Sequence, residues 1–357
     1  MTLLRHFTEQ QSRHGHDVHL LAPSAFPALH STIRHEWNLA REAPQGYAGA
    51  ALHLRRLVHR LDPDVVHLHS FVAGFMGRLP VPPLGHPVVY QPHAWAFDLY
   101  TGPKRALVQG WERAANRFTD GIVANCQDEL DEGHHVGVTR RGHVLGVAVD
   151  VERFRPPDEQ ERLAAKAAVG FTERPFVLVL GRIAHQKAQD LLLPVWERQP
   201  IPDTDLVLVG PGDAEPLCAL VPGQWNRSVH YVGEAHDVRQ WLWAADVLAI
   251  PSRYETVSLV AAEAMATGLP VVATRFNGAV DAITAGPLPS GGQVVDLGDM
   301  TGLLAACERR LVDVQLRRDE GAQARQRAEQ LFRPDHVYER LQHAYEDAID
   351  VHKLGER

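Results

Sequence analysis

The sequence predicts an α/β protein of two doubly wound, parallel-sheet domains, and three observations predict it. Its 357 residues are more than one core of common size organises, which favours two domains. Short runs rich in Val, Ile and Leu alternate with helical patterns, as strands do in parallel sheets covered on both faces. The alternation also stops at a proline-bearing, charged segment and then begins afresh.

The first series of predicted strands covers Asp64–His67, Pro87–Tyr90 and Gly121–Ala124. The second covers Phe176–Leu180, Leu206–Val209, Val229–Val232, Val247–Ile250, Val271–Ala273 and Gln293–Val295. Between them, Phe154 to Pro157 holds two prolines ahead of a charged stretch and reads as a linker near residue 155. From Pro334 to Val351, Val337, Leu341, Tyr345 and Ile349 recur at four-residue steps behind a proline, an amphipathic helix that needs an apolar surface to cover. The expected organisation is residues 1–155, residues 156–333, and a helix in 334–357 packing back toward the first domain. No internal repeat or low-complexity tract is visible.

Composition narrows the function. Hydrophobic residues make up 45% and charged residues 22%, as in a globular enzyme rather than a disordered chain. Cys126, Cys218 and Cys307 show no paired spacing, which fits a reducing cytosol better than a disulfide framework or a zinc knuckle. Neither a signal peptide nor a membrane span is expected, because charges interrupt the first twenty residues and no long apolar stretch follows. The net charge of −8 falls entirely after residue 150, which argues against a nucleic-acid partner. Fifteen of the 21 histidines lie in residues 1–150, so mild acid should charge that part first, unless they only reflect composition drift.

Two segments carry candidate chemistry. The strand Phe176–Leu180 runs into Gly181-Arg182-Ile183-Ala184-His185-Gln186-Lys187, and Asp190 opens a helix. Two cations at the carboxyl end of a parallel strand can hold both phosphates of a diphosphate, and Gly181 permits close approach. A lysine in such a loop can equally be only solvated. In the stretch from Pro251 to Pro270, Glu255 and Glu263 lie eight residues apart, and Thr256 or Ser258 can cap a helix whose free amides at Leu259 and Val260 attract an anion. One carboxylate could then reach a sugar hydroxyl and the other a ribose diol. Alternatively Glu255 is exposed and Glu263 pairs with an arginine.

Together these segments resemble family 4 of the retaining glycosyltransferases, which have the GT-B architecture: two Rossmann-like domains facing a cleft, with a carboxyl-terminal helix crossing back. The resemblance spans nearly the whole chain. It runs through His14-Gly15-His16-Asp17-Val18, Asp64 to Ser70, Pro92-His93, Val144 to Asp150 with Phe154, the 181–187 loop, and the Glu255/Glu263 pair. It implies that Arg182 and Lys187 bind the donor diphosphate and stabilise it as it leaves, and that Glu255 holds hydroxyls of the transferred sugar. It further implies that Glu263 holds the nucleoside ribose, that the amides around Ser258, Leu259 and Val260 meet the distal phosphate, and that His93 faces the transferred sugar from the opposite domain. The backbone of Tyr231, Val232 and Gly233 would touch the base. The implied mechanism is front-face transfer, in which a leaving phosphate oxygen takes the acceptor's proton and no protein nucleophile is needed.

No cofactor and no metal are expected. Asp62-Pro63-Asp64 and Asp203-Thr204-Asp205 superficially resemble the Asp-x-Asp site of metal-dependent transferases, but both precede strands and suit turns. His67 and His69 share a strand face without an evident third ligand and read as core or cleft histidines.

Members of the family usually begin with a strand and a glycine-rich loop, whereas here Met1 already falls in the following helix. That first strand is expected to be missing, leaving a gap in the amino-terminal sheet. Other departures are Leu145-Gly146-Val147-Ala148 where Ile-Pro-Asn-Gly is usual, Thr256-Val257-Ser258 for Gly-Phe-Gly, and Asp281 for a glutamate. The implied function is transfer of a sugar from a nucleotide-diphosphate donor to a glycan, lipid-linked or small-molecule acceptor. The alternatives are a non-catalytic nucleotide-sugar-binding homologue and a GT-B phosphorylase. Two basic helices, Lys104 to Arg117 with Trp111 and Leu52 to Arg60, suggest peripheral contact with the inner membrane face or, alternatively, line the acceptor cleft or cover the sheet.

Overall fold

A computed structural model describes residues 2–37, 45–80 and 82–355. The chain forms two compact units, residues 1–148 with 334–357, and residues 149–333.

Unit 1 contains β1 (His19–Ala22), β2 (Ile33–Glu36), β3 (Val66–His69), β4 (Val88–Gln91), β5 (Gly121–Ala124) and β6 (Gly142–Val144). The last four form one parallel sheet in the order β3-β4-β5-β6, while β1 and β2 form a separate parallel pair. A helix at Thr2–Arg13 precedes β1; Met1, assigned to that helix from the sequence, lies outside the described residues. Alternation along the strands divides the core. Val89 and Val123 meet Val337, Leu341, Ala344, Tyr345 and Ala348 of the helix Pro334–Leu354, whereas Leu68, Tyr90, Ile122 and Ala124 pack with Leu54, Val58 and Met76. The carboxyl-terminal helix thus covers one face of the β3–β6 sheet, its apolar stripe running through Ala348 while Ile349 is only half-buried.

Unit 2 contains β7 (Phe176–Leu180), β8 (Asp205–Val209), β9 (Val229–Gly233), β10 (Val247–Ile250), β11 (Val271–Thr274) and β12 (Gly292–Val295). They form one parallel sheet in the order β12-β11-β10-β7-β8-β9. β7, β8, β10 and β11 are buried along their whole length, the reason their sequences read as unbroken apolar runs. Leu192, Leu193 and Trp196 of the helix Gln189–Arg198 and Leu303 and Leu304 of the helix Met300–Val312 pack into the same cluster as Val177, Val179, Leu206 and Leu208.

The units divide between Ala148 and Val149, ahead of the position near residue 155 expected from the prolines. The intervening residues are held by unit 2. The Val149 amide donates to Phe332 O at 2.8 Å, Arg325 donates to Val151 O at 2.7 Å and Phe154 O at 3.3 Å, and Val149, Val151 and Phe154 are buried. Asp203 sits in a turn ahead of β8 and Asp62 directly follows the helix Gln45–Leu61 ahead of β3, with φ of 49° and 47°, a conformation aspartate tolerates. Among the described residues no helix is long and apolar enough to cross a membrane.

Candidate active site

In unit 2 the chain passes outward from β7 through β8 to β9, then returns to place β10 on the other side of β7. Such a reversal is where open parallel sheets bind ligands, beyond the carboxyl ends of their strands. The loops leaving β7 and β10 hold most of the candidate residues, and they are stitched together. The Arg253 amide donates to Gln186 O at 2.8 Å, Gln186 Nε2 donates to Tyr254 O at 3.1 Å, and the Arg253 guanidinium forms a bidentate pair with Asp190 at 2.8 and 2.7 Å. That pairing holds the Asp190 carboxyl below its usual range.

Lys187 and Glu255, assigned from the sequence to different parts of a ligand, are joined to each other. Lys187 Nζ lies 2.6 Å from Glu255 Oε1, which also accepts from Ser252 Oγ at 2.6 Å. Both side chains are largely withdrawn from solvent, at 17% and 7% exposure. Gly181 matters here, because a Cβ at that position would come within 3.1 Å of Lys187 Cε. Arg182 is exposed and donates to Gln186 Oε1 at 3.2 Å.

Of the two possible caps, Ser258 is the one in place: its hydroxyl accepts from the Ala261 amide at 3.3 Å, and Leu259 and Val260 open the helix Leu259–Ala266. The positive end of that helix suits an anion. Glu263, on the same helix, is half-buried, and burial raises its pKa to about 7. The charge of Arg153 opposes that rise without forming a hydrogen bond to the carboxylate, so a ligand hydroxyl would be a natural donor to it.

Beside the carboxyl end of β9, where Tyr231 to Gly233 were expected, the loop after β8 adds a part of the site absent from the sequence expectations. Gly210-Pro211-Gly212 lies against the loop from β7: the Ile183 amide donates to Pro211 O at 2.8 Å, and a Cβ at Gly210 would stand 2.2 Å from Gly181 O. The Tyr231 hydroxyl sits 2.9 Å from Gly212 O and 3.1 Å from Gly210 O, so its side chain braces this glycine loop. Gly233 O accepts from the Gly210 amide at 2.7 Å and is therefore committed within the fold. Val232 is exposed. A Gly-x-Gly directly after an apolar strand was the available signal.

His93 belongs to unit 1, just past β4. His93 Nε2 and His69 Nδ1 are 2.9 Å apart, the His67 ring is tilted by 32° against His69 at 4.0 Å between centroids, and His67 Nδ1 lies 2.9 Å from the Tyr345 hydroxyl. Burial lowers the pKa of His93 to about 4 and of His67 to about 3, so both rings are neutral near pH 7. Among the described residues no group of three or more His, Cys, Asp or Glu side chains is arranged to hold a metal ion.

Residues 2–153 match the family model described as Glycosyltransferase Family 4, and residues 174–313 match Glycosyl transferases group 1. The D-inositol 3-phosphate glycosyltransferase of Jonesia denitrificans is 32% identical over 312 residues, covering 79% of this chain and 71% of that protein. Sucrose-phosphate synthase from Thermosynechococcus elongatus is similar in structure, with a TM-score of 0.79 at 21% identity over 97% of this chain and 92% of that one. Anabaena HepE, solved in complex with UDP-glucose, gives 0.74 at 19% identity over 96% and 94%. Both units thus have the GT-B type of α/β fold. The chain belongs to glycosyltransferase family 4.

Proposed function

We propose that the protein transfers a sugar, with retention and without a metal ion, from a nucleotide-diphosphate donor to a hydroxyl of a glycan, lipid-linked or small-molecule acceptor. The observation that carries this reading is the switch point of unit 2, where the loops leaving β7 and β10 and the helix after β10 supply two cations, an open helix amino end and the half-buried carboxylate of Glu263. HepE's complex with UDP-glucose and the relationship to an inositol-phosphate glycosyltransferase support a nucleotide-sugar donor.

In this reading unit 2 is the nucleotide side and unit 1 the acceptor side. Arg182 and Lys187 bind the diphosphate, and Lys187 exchanges Glu255 for a phosphate oxygen. Glu255 is then free to accept hydrogen bonds from the sugar. The Leu259 and Val260 amides meet the distal phosphate, Glu263 takes the ribose diol, the backbone around Tyr231 to Gly233 meets the base, and His93 contacts the transferred sugar. The bond from the anomeric carbon to the phosphate oxygen breaks while the acceptor oxygen bonds to the same face. The acceptor's proton passes to the departing phosphate oxygen. Charge on the diphosphate is met by protein cations and helix amides, so transfer should persist in a chelator.

Thermal melts with a panel of nucleotide-diphosphate sugars in the presence of EDTA test the reading. A donor at about 100 times its dissociation constant should stabilise the protein by about 2.7 kcal/mol. No shift with any donor would overturn it.

A cytoplasmic protein touching anionic lipid completes the proposal. Leu107, 76% exposed, lies with Lys104 and Arg105 on the helix Gly102–Ala115, and Leu99, 81% exposed, precedes that helix, whereas Trp111 packs inward against Phe75 at 4.7 Å and would not reach lipid. Failure to float with anionic liposomes would remove this element.

A further inference from the structure

The backbone at His93 and Ala94 is strained. Their φ angles are 57° and 102°, and two consecutive residues with a Cβ in this region persist only where surrounding bonds over-determine them. Those bonds converge on one carboxylate. The Ala94 amide donates to Glu129 Oε1 at 2.5 Å, while Glu129 Oε2 accepts from the Asn125 amide at 2.6 Å and from Asn125 Nδ2 at 3.0 Å. Asn125 Oδ1 in turn accepts from Gln91 Nε2 at 2.9 Å, at the end of β4. On the far side of the strained peptide, the Trp95 indole donates to Glu129 O at 2.6 Å. Trp95 is itself locked, 1% exposed, stacked on Phe97 and lying where a Cβ at Gly133 would meet its ring at 2.5 Å.

Glu129 is 1% exposed, and burial raises its pKa. A carboxylate removed from water is costly unless its lone pairs are filled, and here three N–H groups fill them. None of these donors is needed to close a strand ladder, and one belongs to the strained residue beside His93.

We propose that Glu129, supported by Asn125, is a positioning residue: it clamps the peptide after His93 in its left-handed conformation and so aims the imidazole at substrate. This rests on the reading of His93 as a sugar contact. Without the clamp the 93–94 peptide relaxes toward ordinary φ, the ring leaves its 2.9 Å contact with His69, and nucleotide binding in unit 2 is untouched.

The test compares H93A, E129A, E129Q and the double variant H93A/E129A in the full chain. Displacing a reacting geometry by about 1 Å can cost on the order of a hundredfold, so E129A should lower kcat by about ten- to a hundredfold. Affinity for the free nucleoside diphosphate, measured by titration calorimetry, should stay within about twofold. E129Q, which keeps one accepting oxygen, should recover part of the rate. The double variant should be no slower than H93A, because both changes remove the same contact.

A second readout, independent of turnover, is the His93 Cε1–H resonance, identified by its loss in H93A. It should shift in E129Q, and its pKa should rise from about 4 toward the ordinary imidazole value. Wild-type kcat in E129A, or fully additive losses in the double variant, would overturn the inference. If E129A does not fold, E129Q carries the same decision: an unmoved His93 resonance sinks the proposal. If the wild-type protein turns over no donor, the proposed function fails, while the resonance still decides whether Glu129 positions His93.

Discussion

In unit 2 six strands form one sheet, and the polar groups at its switch point are tied by ion pairs, Lys187 to Glu255 and Arg253 to Asp190. In unit 1 the strands form two separate sheets, and the corresponding polar groups are neutral imidazoles joined to each other and to Tyr345. Within unit 1 histidines also tie the carboxyl-terminal helix to the rest, through His16 with Tyr338, His143 with Asp347 and His352 with Asp120. The difference is one of what each unit can exchange. An ion pair at a loop can give up one partner to a charged ligand, whereas a buried neutral cluster cannot accept charge without cost.

The largest effect should come from separating the units' stabilities. Leu341 is fully buried on the helix that covers the β3–β6 sheet, so Leu341→Ala should cost about 2–5 kcal/mol. The melt should divide, with nucleoside diphosphate still stabilising the later transition. A single unshifted transition would show that the helix is not a structural member of unit 1.

Next in size are the cations. Arg182→Ala should lower turnover by about a hundredfold with little change in melting temperature, since the side chain is exposed. Lys187→Ala should lower turnover similarly and also destabilise by about 1–3 kcal/mol, because Glu255 would be left buried with only Ser252. Steady-state kinetics beside thermal melts separate the two. Wild-type turnover in both variants would remove the assignment of the diphosphate to this loop.

Acid should act on unit 1. The depressed pKa values of His93 and His67 mean that the unfolded chain binds more protons, so stability is complete above about pH 6.5. It falls as the pH drops, and the loss continues until about pH 4 and then about pH 3. His67→Phe should flatten part of that slope in melts taken from pH 7 to pH 4. An unchanged slope would contradict a buried neutral ring.

The smallest effect, and the one that contrasts the units most directly, is at Glu263. Its raised pKa means that stability is present below about pH 4.5 and is lost as the pH rises to about 7, where the buried carboxyl ionises. Ligand affinity should run the other way, because a ribose diol donates to the ionised form. Nucleotide binding should tighten about tenfold from pH 6 to pH 8. Glu263→Gln should abolish that dependence and raise the melting temperature above pH 7. Parallel pH profiles for the variant and the wild type would end the ribose assignment.

The two units also differ in how far their sequences revealed them. The strands of unit 2 stood out because full burial selects continuous apolar runs, and its loops stood out because Arg182, Lys187, Glu255 and Glu263 are unusual residues at strand ends. Gly210-Pro211-Gly212 carries a local signal too, a Gly-x-Gly directly after an apolar strand. In unit 1 the helix Pro334–Leu354 was legible from its four-residue period, and β3, β4 and β5 of the sheet it covers from their apolar runs, whereas β6, with Gly142-His143-Val144, carries no such run.

Sequence alone determined the fold class, the alternation of strands and helices, and the residue types that could meet a diphosphate, because periodicity and side-chain chemistry are local properties. Tertiary structure decided which of those groups are already paired, that Ser258 rather than Thr256 caps the helix, that Tyr231 braces a glycine loop, and that Glu129 holds the peptide beside His93. Each of these depends on a partner brought close by strand order: Lys187 and Glu255 are 68 residues apart, and Ala94 and Glu129 are 35 apart. Burial at such a junction sets the pKa of Glu263 and of His93, and burial is a property of the assembled sheet rather than of any one segment.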